Sequence, residues 1–178
     1  MSKKFLLISQ VFYPDQVSTA NLFTSLCCLL AEESIDVEVW SAHPSYTELS
    51  RQPKRLYYKG INICYLPSTN FKKSSPPGRF FNILTFMISA SLKLFFSKEK
   101  TPVWAHTTPP FLGIILSSIC SLKRRKFIYI LLDIFPEGLI RLKKVSGRNI
   151  FVRLWQRLFI KTLQKSERII VIGRDTKQ

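Results

Sequence analysis

The chain has 178 residues, 46% of them hydrophobic, which suits one compact domain or half of a larger two-domain enzyme. Its net charge of +16 favours an anionic partner such as nucleic acid, acidic lipid or a phosphorylated substrate. The four cysteines contain no CxxC pair, which argues against a disulfide framework or a zinc site, so we expect reduced thiols, no metal and no cofactor.

Short apolar runs alternate with longer runs of helical periodicity, the pattern of a parallel sheet covered by helices. In the first half we predict strands Phe5–Ser9, Asp36–Ser41, Leu56–Tyr58 and Ile61–Leu66, a helix Thr19–Glu33 capped by Ser18 or Thr19, and a helix Arg79–Ser97. The stretch "NFKKSSPPGR" before that second helix predicts a loop.

The second half continues the same alternation. We predict strands Pro102–His106, Phe127–Leu132 and Arg168–Ile172, helices Phe111–Leu122 and Asn149–Gln164, and a loop or short helix over Asp133–Ser146. The fold class is therefore α/β: one Rossmann-like domain over residues 1–178, a parallel sheet with helices on both faces. No signal peptide is visible, and Asn82 and Lys93 interrupt the longest apolar stretch, so we expect no membrane-spanning helix.

The first loop follows strand one, where open parallel sheets bind ligands. It contains Tyr13, Asp15, Ser18 and Thr19, but no glycine occurs between Phe5 and Leu49. Without glycine the backbone cannot approach a pyrophosphate closely, which argues against a dinucleotide site. These side chains are candidates for a polar substrate-binding cleft, and the alternative is an ordinary connection with an Asp in a Pro turn.

A second candidate is "HTTPPFLG", at the end of a predicted strand. Thr107 and Thr108 are placed to cap a helix that starts at Pro109, and the free N–H groups of such a helix attract phosphate. His106 is a candidate acid or base near neutral pH, or else a strand-end histidine without chemistry.

The third candidate is "LLDIFPEGL", which follows an apolar strand. Asp133 and Glu137 are two of few acids in this basic chain. A carboxylate there can take a proton from an attacking hydroxyl, so we expect catalysis from this pair. The alternative is a loop with a capping Asp and a Pro stop.

Two predicted helices have surfaces that suit an anionic partner or a membrane. The helix 149–164 and its end carry a basic row at four-residue spacing: Arg153, Arg157, Lys161 and Lys165. The helix 79–97 begins at Arg79, has a narrow polar stripe of Asn82, Thr85, Ser89 and Lys93, and is otherwise strongly apolar. It is either buried against the sheet or lies in a membrane interface flanked by lysines.

Five stretches in this order resemble a known family: "FYPDQVSTANLFTSL", "AHPSY", "TTPPFLG", "LLDIFPE" and "ERIIVIGRD". Together they are similar to the N-terminal half of a retaining GT-B glycosyltransferase. The likeness is closest to the family-four enzymes that build bacterial cell-surface polysaccharides of the colanic-acid and O-antigen type. Two positions depart from that pattern, because Ala20 stands where a glycine is common and Leu132 where many relatives have a histidine.

The resemblance implies an acceptor-binding domain whose acceptor is a sugar, often linked to polyprenyl diphosphate at the inner membrane face. The nucleotide-sugar donor would bind a C-terminal domain that this chain does not include. We therefore expect a cytoplasmic, membrane-peripheral transferase half that is inactive alone. The alternative is a catalytically silent, basic, membrane-associated module or the remnant of a shortened gene. Specific nucleic-acid binding is not expected, because no such motif accompanies the charge.

Overall fold

A computed structural model describes residues 4–44, 53–71, 74–133, 136–143 and 145–172. The chain divides into two compact units, Met1–Pro102 and Val103–Gln178. The last two residues of "AHPSY", the two residues that follow the Asp of "LLDIFPE" and the last three of "ERIIVIGRD" lie outside the described residues.

The first unit is a βα unit extended by a hairpin and a long helix. Its elements are β1 (Lys4–Ile8), α1 (Ser18–Glu32), β2 (Asp36–Ala42), β3 (Arg55–Tyr58), β4 (Ile61–Leu66) and α2 (Pro76–Phe96). The strand order is β3-β4-β2-β1, with β2 parallel to β1 and β4 and with β3 antiparallel to β4. The turn between β3 and β4 lies at Lys59-Gly60, the pair at which the sequence predicts it, and Gly60 has φ 81°, which glycine adopts without strain.

In its described residues, the second unit contains three parallel strands and three helices. Its elements are β5 (Val103–His106), α3 (Leu112–Leu122), β6 (Phe127–Leu131), α4 (Glu137–Arg141), α5 (Ile150–Lys165) and β7 (Arg168–Val171), with strand order β5-β6-β7. Gly113 lies under the buried ring of Tyr129, where an added Cβ would come within 2.4 Å of a ring carbon. The predicted α/β class with a mostly parallel sheet is confirmed.

Three local predictions about helix starts are wrong. Val17 occupies the N-cap of α1, and no side chain caps that helix, so neither Ser18 nor Thr19 does. The predicted loop before α2 is too long, because Ser75 caps a helix that already starts at Pro76, a position where proline costs no hydrogen bond. Helix α3 starts at Leu112 after a left-handed Phe111, so it begins too late for Thr107 and Thr108 to cap it.

All four cysteines are described and none is disulfide-bonded. Cys27 and Cys120 are buried, and burial raises the pKa of each thiol to about 12. Such thiols stay protonated and behave as small apolar core groups, as the sequence indicated.

Candidate functional site

The first loop is fixed to the end of β2 by hydrogen bonds. The carbonyl of Gln10 accepts from the backbone N–H of Ala42 and from the Ser41 hydroxyl, each at 3.2 Å. The Ser9 hydroxyl donates to the carbonyl of Val11 at 2.7 Å. The loop therefore has a defined path without the glycines of a dinucleotide-binding turn.

Aromatic side chains hold the middle of this loop. The rings of Tyr13 and Tyr58 stack with centroids 3.8 Å apart, and the Tyr65 hydroxyl donates to the Tyr13 carbonyl at 2.7 Å. Burial raises the pKa of Tyr65, and the nearby Tyr13 and Asp15 raise it further. Tyr65 therefore remains a protonated donor at all ordinary pH values, and it fixes the loop to β4.

A cleft of about 410 Å³ opens beside this loop in the first unit. It is lined by Tyr13, Pro14, Asp15, Gln16, Asn21, Thr24, Ser25 and Tyr58. Amide, hydroxyl and carboxylate groups thus face a flat aromatic surface, a combination that suits a ligand with several hydroxyl groups. Within the described residues, the Thr24 hydroxyl oxygen is buried and has no hydrogen-bond partner, so a ligand can supply one.

The cleft contains only part of the group predicted from the loop. Tyr13 and Asp15 line it, whereas Ser18 and Thr19 form the first turn of α1 and are not among its lining residues. The sequence analysis missed Asn21, Thr24 and Ser25. Their spacing of three and four residues places them on one face of α1, and that spacing could have identified them.

A larger cavity of about 520 Å³ involves the first residues of β1 and β2, away from the carboxyl ends of these strands. Three of its charged groups are already paired, because the Lys4 ammonium lies 3.4 Å from the carboxylates of both Glu38 and Glu99. The Trp40 indole N–H also donates to Glu38 at 2.7 Å. These internal pairings, and the position at the wrong end of the strands, leave the smaller cleft as the candidate site.

In the second unit, the ends of β5 and β6 are tied together. The Thr107 hydroxyl oxygen accepts from the backbone N–H of Leu132 at 3.2 Å and from that of Asp133 at 3.1 Å. The Thr108 N–H donates to Nδ1 of His106 at 3.2 Å. The Thr107 hydroxyl thus binds the backbone directly after β6 and does not cap a helix.

His106 is fully buried, and burial lowers its pKa to about 3. Its imidazole is therefore neutral near neutral pH, and no solvent-accessible part of it can reach a substrate. Desolvation disfavours the charged form, so the burial of His106 argues against its predicted roles as a substrate ligand and as an acid or base near pH 7, which stay predictions.

The predicted catalytic carboxylates both follow the carboxyl end of β6. Asp133 is exposed, and Glu137 starts α4 with its side chain half-buried. One carboxylate oxygen of Glu137 is buried without a hydrogen-bond partner among the described residues. An exposed carboxylate at a strand end is free to accept a proton, so Asp133 is the better placed of the two.

The predicted basic surfaces separate into two kinds. Arg79 on α2 is exposed, and so is the complete row on α5: Arg153, Arg157, Lys161 and Lys165. Lys93 is different, because its ammonium lies 2.8 Å from the Cys64 sulfur and 4.2 Å from the centre of the Trp40 ring. Lys93 therefore packs against β2 and β4. It does not belong to an exposed basic surface that could contact an anionic partner.

Within the described parts of the chain, no three His, Cys, Asp or Glu side chains lie close enough together to hold a metal ion. Among those same residues, α2 is long and apolar enough to cross a membrane, by length and composition alone. Asn82 and Lys93, which interrupt the apolar stretch in the sequence, both lie within this helix.

No protein-family model matches the sequence, and a search of curated proteins also found no match. A solved structure is similar: sucrose-phosphate synthase from Thermosynechococcus elongatus, with a TM-score of 0.63 and 10% sequence identity. The match covers 98% of this chain and 43% of that chain, so the chain spans less than half the length of the synthase. At this identity, the likeness shows a shared fold.

Proposed function

We propose that the chain is the acceptor-binding half of a GT-B glycosyltransferase that acts in cell-surface polysaccharide biosynthesis. One observation carries the proposal: nearly the whole chain aligns with 43% of a sucrose-phosphate synthase, itself a GT-B glycosyltransferase. That fraction is what one of the two halves of a GT-B enzyme occupies. The five family-like stretches favour a polysaccharide enzyme of the colanic-acid or O-antigen type.

The cleft beside the first loop would hold the sugar acceptor. Asp15 is 4% exposed, so only the small accessible part of its carboxylate can accept a hydrogen bond from a sugar hydroxyl, whereas the exposed Asn21 and Ser25 add donors and acceptors along α1. Tyr13 and Tyr58 offer a rigid aromatic surface for the less polar face of a sugar. The acceptor class would be a polysaccharide end or a sugar linked to polyprenyl diphosphate at the cytoplasmic face of the inner membrane.

In the transfer step, an acceptor hydroxyl oxygen bonds to the anomeric carbon of the donor sugar, and the bond from that carbon to the nucleotide diphosphate breaks. The proton of the hydroxyl passes to a carboxylate base, and the diphosphate leaves with the bonding electron pair. The nucleotide-sugar donor would bind a second domain or a separate chain. The exposed Ile169, Ile170 and Ile172, at and beyond β7, support docking of such a partner.

A catalytically silent membrane module is the second candidate. It is favoured by the burial of His106 and by the internal bonds of Thr107, which remove two predicted site residues from contact with substrate. The two candidates differ in whether the cleft recognises a sugar.

The test is a titration of the full chain with a short-chain prenyl-diphosphate N-acetylglucosamine, followed by calorimetry. We expect saturable binding that the substitution Asp15→Asn weakens roughly tenfold or more, since a hydrogen bond to a charged group is worth about 1.5–3 kcal/mol. Glu32→Gln, which changes an exposed carboxylate at the last residue of α1, is the control and should not alter binding.

Equal affinity of the Asp15→Asn and unaltered chains would contradict the assignment of the cleft. Absence of binding to this probe and to the free sugar would favour the silent module. Sugar transfer from a nucleotide sugar by the chain alone would exclude that module and also the need for a second half.

A further inference from the structure

Helix α2 turns its polar stripe toward the protein. The Asn82 side chain accepts from the Phe71 N–H at 2.9 Å and from the Thr69 hydroxyl at 3.0 Å, and it donates to the Phe71 carbonyl at 3.0 Å. Asn82 is buried, together with Phe86, Ala90 and others on the same line. The side chain of Asn82 therefore satisfies the backbone of the segment that follows β4.

The rest of the stripe makes the same kind of contact. The Thr85 hydroxyl oxygen accepts from the Thr69 N–H at 3.0 Å, and the Ser89 hydroxyl donates to the Pro67 carbonyl. Lys93 ends the row against β2 and β4, as described above. The four side chains of this polar stripe thus hold the helix to its own unit.

The opposite side of α2 is apolar and exposed. Seven large side chains are between 38% and 73% exposed: Phe80, Phe81, Leu84, Ile88, Leu92, Phe95 and Phe96. Leu84, Ile88 and Leu92 lie four residues apart and so form one continuous line on the helix. Soluble monomers rarely expose an apolar strip of this kind, so something covers it.

The charges around this strip are cationic. Arg79 is exposed near the start of α2, and Lys98 and Lys100 are exposed just beyond its end. The helix itself contains no Asp or Glu, and the nearby Glu99 is within 3.4 Å of the Lys4 ammonium. An apolar face with cations at both ends matches a bilayer surface of anionic lipid, whose headgroups attract the cations while the acyl chains accept the apolar groups.

The polar contacts decide how the helix would meet the bilayer. With 21 residues, α2 is long enough to span the hydrocarbon region. Spanning would break the bonds of Asn82, Thr85 and Ser89 and leave these groups in hydrocarbon, which is costly. Lying in the membrane plane keeps every one of those bonds and removes only the exposed apolar strip from water.

We propose that α2 lies in the plane of an anionic membrane, with the strip Phe80 to Phe96 among the acyl chains and with Arg79, Lys98 and Lys100 at the headgroups. This surface would bring the acceptor cleft to a lipid-linked substrate and in that respect rests on the proposed function. Lipid binding itself requires no sugar, so its test is independent of sugar recognition.

The experiment is co-sedimentation of the full chain with vesicles of phosphatidylcholine alone or mixed with phosphatidylglycerol, at about 0.1 M and 1 M salt. We expect binding to the anionic vesicles that falls in high salt but persists, because apolar insertion is not screened. The double substitution Ile88→Gln and Leu92→Gln should weaken the high-salt binding roughly tenfold or more.

The matched control is Leu29→Gln with Leu122→Gln, since these leucines are 60% and 72% exposed on other helices. The control should bind as the unaltered chain does, and thermal unfolding should show both variants to be folded. A second pair, Arg79→Gln with Lys98→Gln, should reduce binding only at low salt. Lys54→Gln with Arg148→Gln removes the same charge elsewhere and should have a smaller effect.

Four results would overturn the proposal. The first is that the chain binds neither kind of vesicle. The second is binding that high salt abolishes completely and that the Ile88 and Leu92 changes do not affect. The third is a dimer in solution that the same changes dissociate. The fourth is resistance to extraction by alkaline carbonate, which would indicate a spanning helix. None of these results would alter the outcome of the acceptor titration, so the two proposals can fail separately.

Discussion

Helices α2 and α5 are both amphipathic, but in opposite senses. On α5 the basic row is exposed while Val152 and Phe159 are buried, although Phe151 and Leu154 are exposed beside the basic row. On α2 the polar stripe is turned inward, and the broad apolar side faces out. Periodicity in a sequence therefore shows that a helix has two faces, but the neighbouring backbone decides which face is covered.

The candidate sites at the strand ends of the two units differ in a similar way. Beside β1 the side chains of Tyr13 and Asp15 line an open cleft, whereas at the end of β5 the groups of His106 and Thr107 are used in internal bonds. Both stretches looked like polar loops at the carboxyl ends of strands. The first remains available to a ligand, and the second stabilises the fold.

We expect the largest difference in stability between substitutions at Phe86 and at Ile88, both on α2. Phe86 is fully buried, so Phe86→Ala should lower the free energy of unfolding by about 3–5 kcal/mol. Ile88 is 50% exposed, so Ile88→Ala should cost only a few tenths to about 1 kcal/mol in solution. Urea unfolding measures both. Equal losses would mean that α2 does not present its apolar side outward.

A smaller effect should follow from the burial of His106. Its pKa is about 3 in the folded chain against 6.5 for an unperturbed histidine, so the unfolded state binds more protons below pH 6.5 and stability falls as the pH falls toward 3. Between pH 7 and pH 5 we expect a loss of about 2 kcal/mol from this group. The measurement is urea unfolding at several pH values in that range.

The control for the pH dependence is a pair of substitutions. His106→Gln should lower stability at pH 7 but remove most of the slope, whereas His43→Gln, which changes the other histidine, should keep the slope. An unchanged slope in His106→Gln would show that other groups cause it. A slope of the opposite sign would indicate that His106 is protonated in the folded chain.

The smallest effect concerns the basic row of α5. Arg157 lies four residues from both Arg153 and Lys161, and like charges at this spacing repel. Arg157→Glu should therefore raise the free energy of unfolding by a few tenths to about 1 kcal/mol at low salt. The gain should shrink as salt is added. A loss of stability would show that Arg157 makes a favourable contact, and Arg148→Glu, outside the row, is the comparison.

The sequence predicted the order and type of the main elements because their signals are local. Apolar runs of strand length, helical spacing and the turn at Lys59-Gly60 each depend on a few neighbouring residues, and the hairpin of β3 and β4 was found to within one residue. Helix starts were less predictable. Phe111 takes a left-handed conformation before α3, which delays that helix beyond what Pro109 indicated.

The candidate site was predictable only in part. The loop residues Tyr13 and Asp15 were identified from their place after a strand, but Tyr58 comes from a hairpin 45 residues further along the chain, and no local pattern connects it with Tyr13. His106 looked like a titratable group at a strand end. Its burial results from packing, which a single stretch of sequence does not contain.

By itself, the sequence determined the α/β class, the basic character and the existence of two amphipathic helices, since these depend on composition and on spacing along the chain. The tertiary structure decided which side of α2 is exposed, which loop remains open and that His106 is buried. The physical reason is that burial and hydrogen bonding depend on residues distant in sequence: the backbone of Thr69 and Phe71 provides partners for the polar stripe of α2, and this leaves the apolar side uncovered.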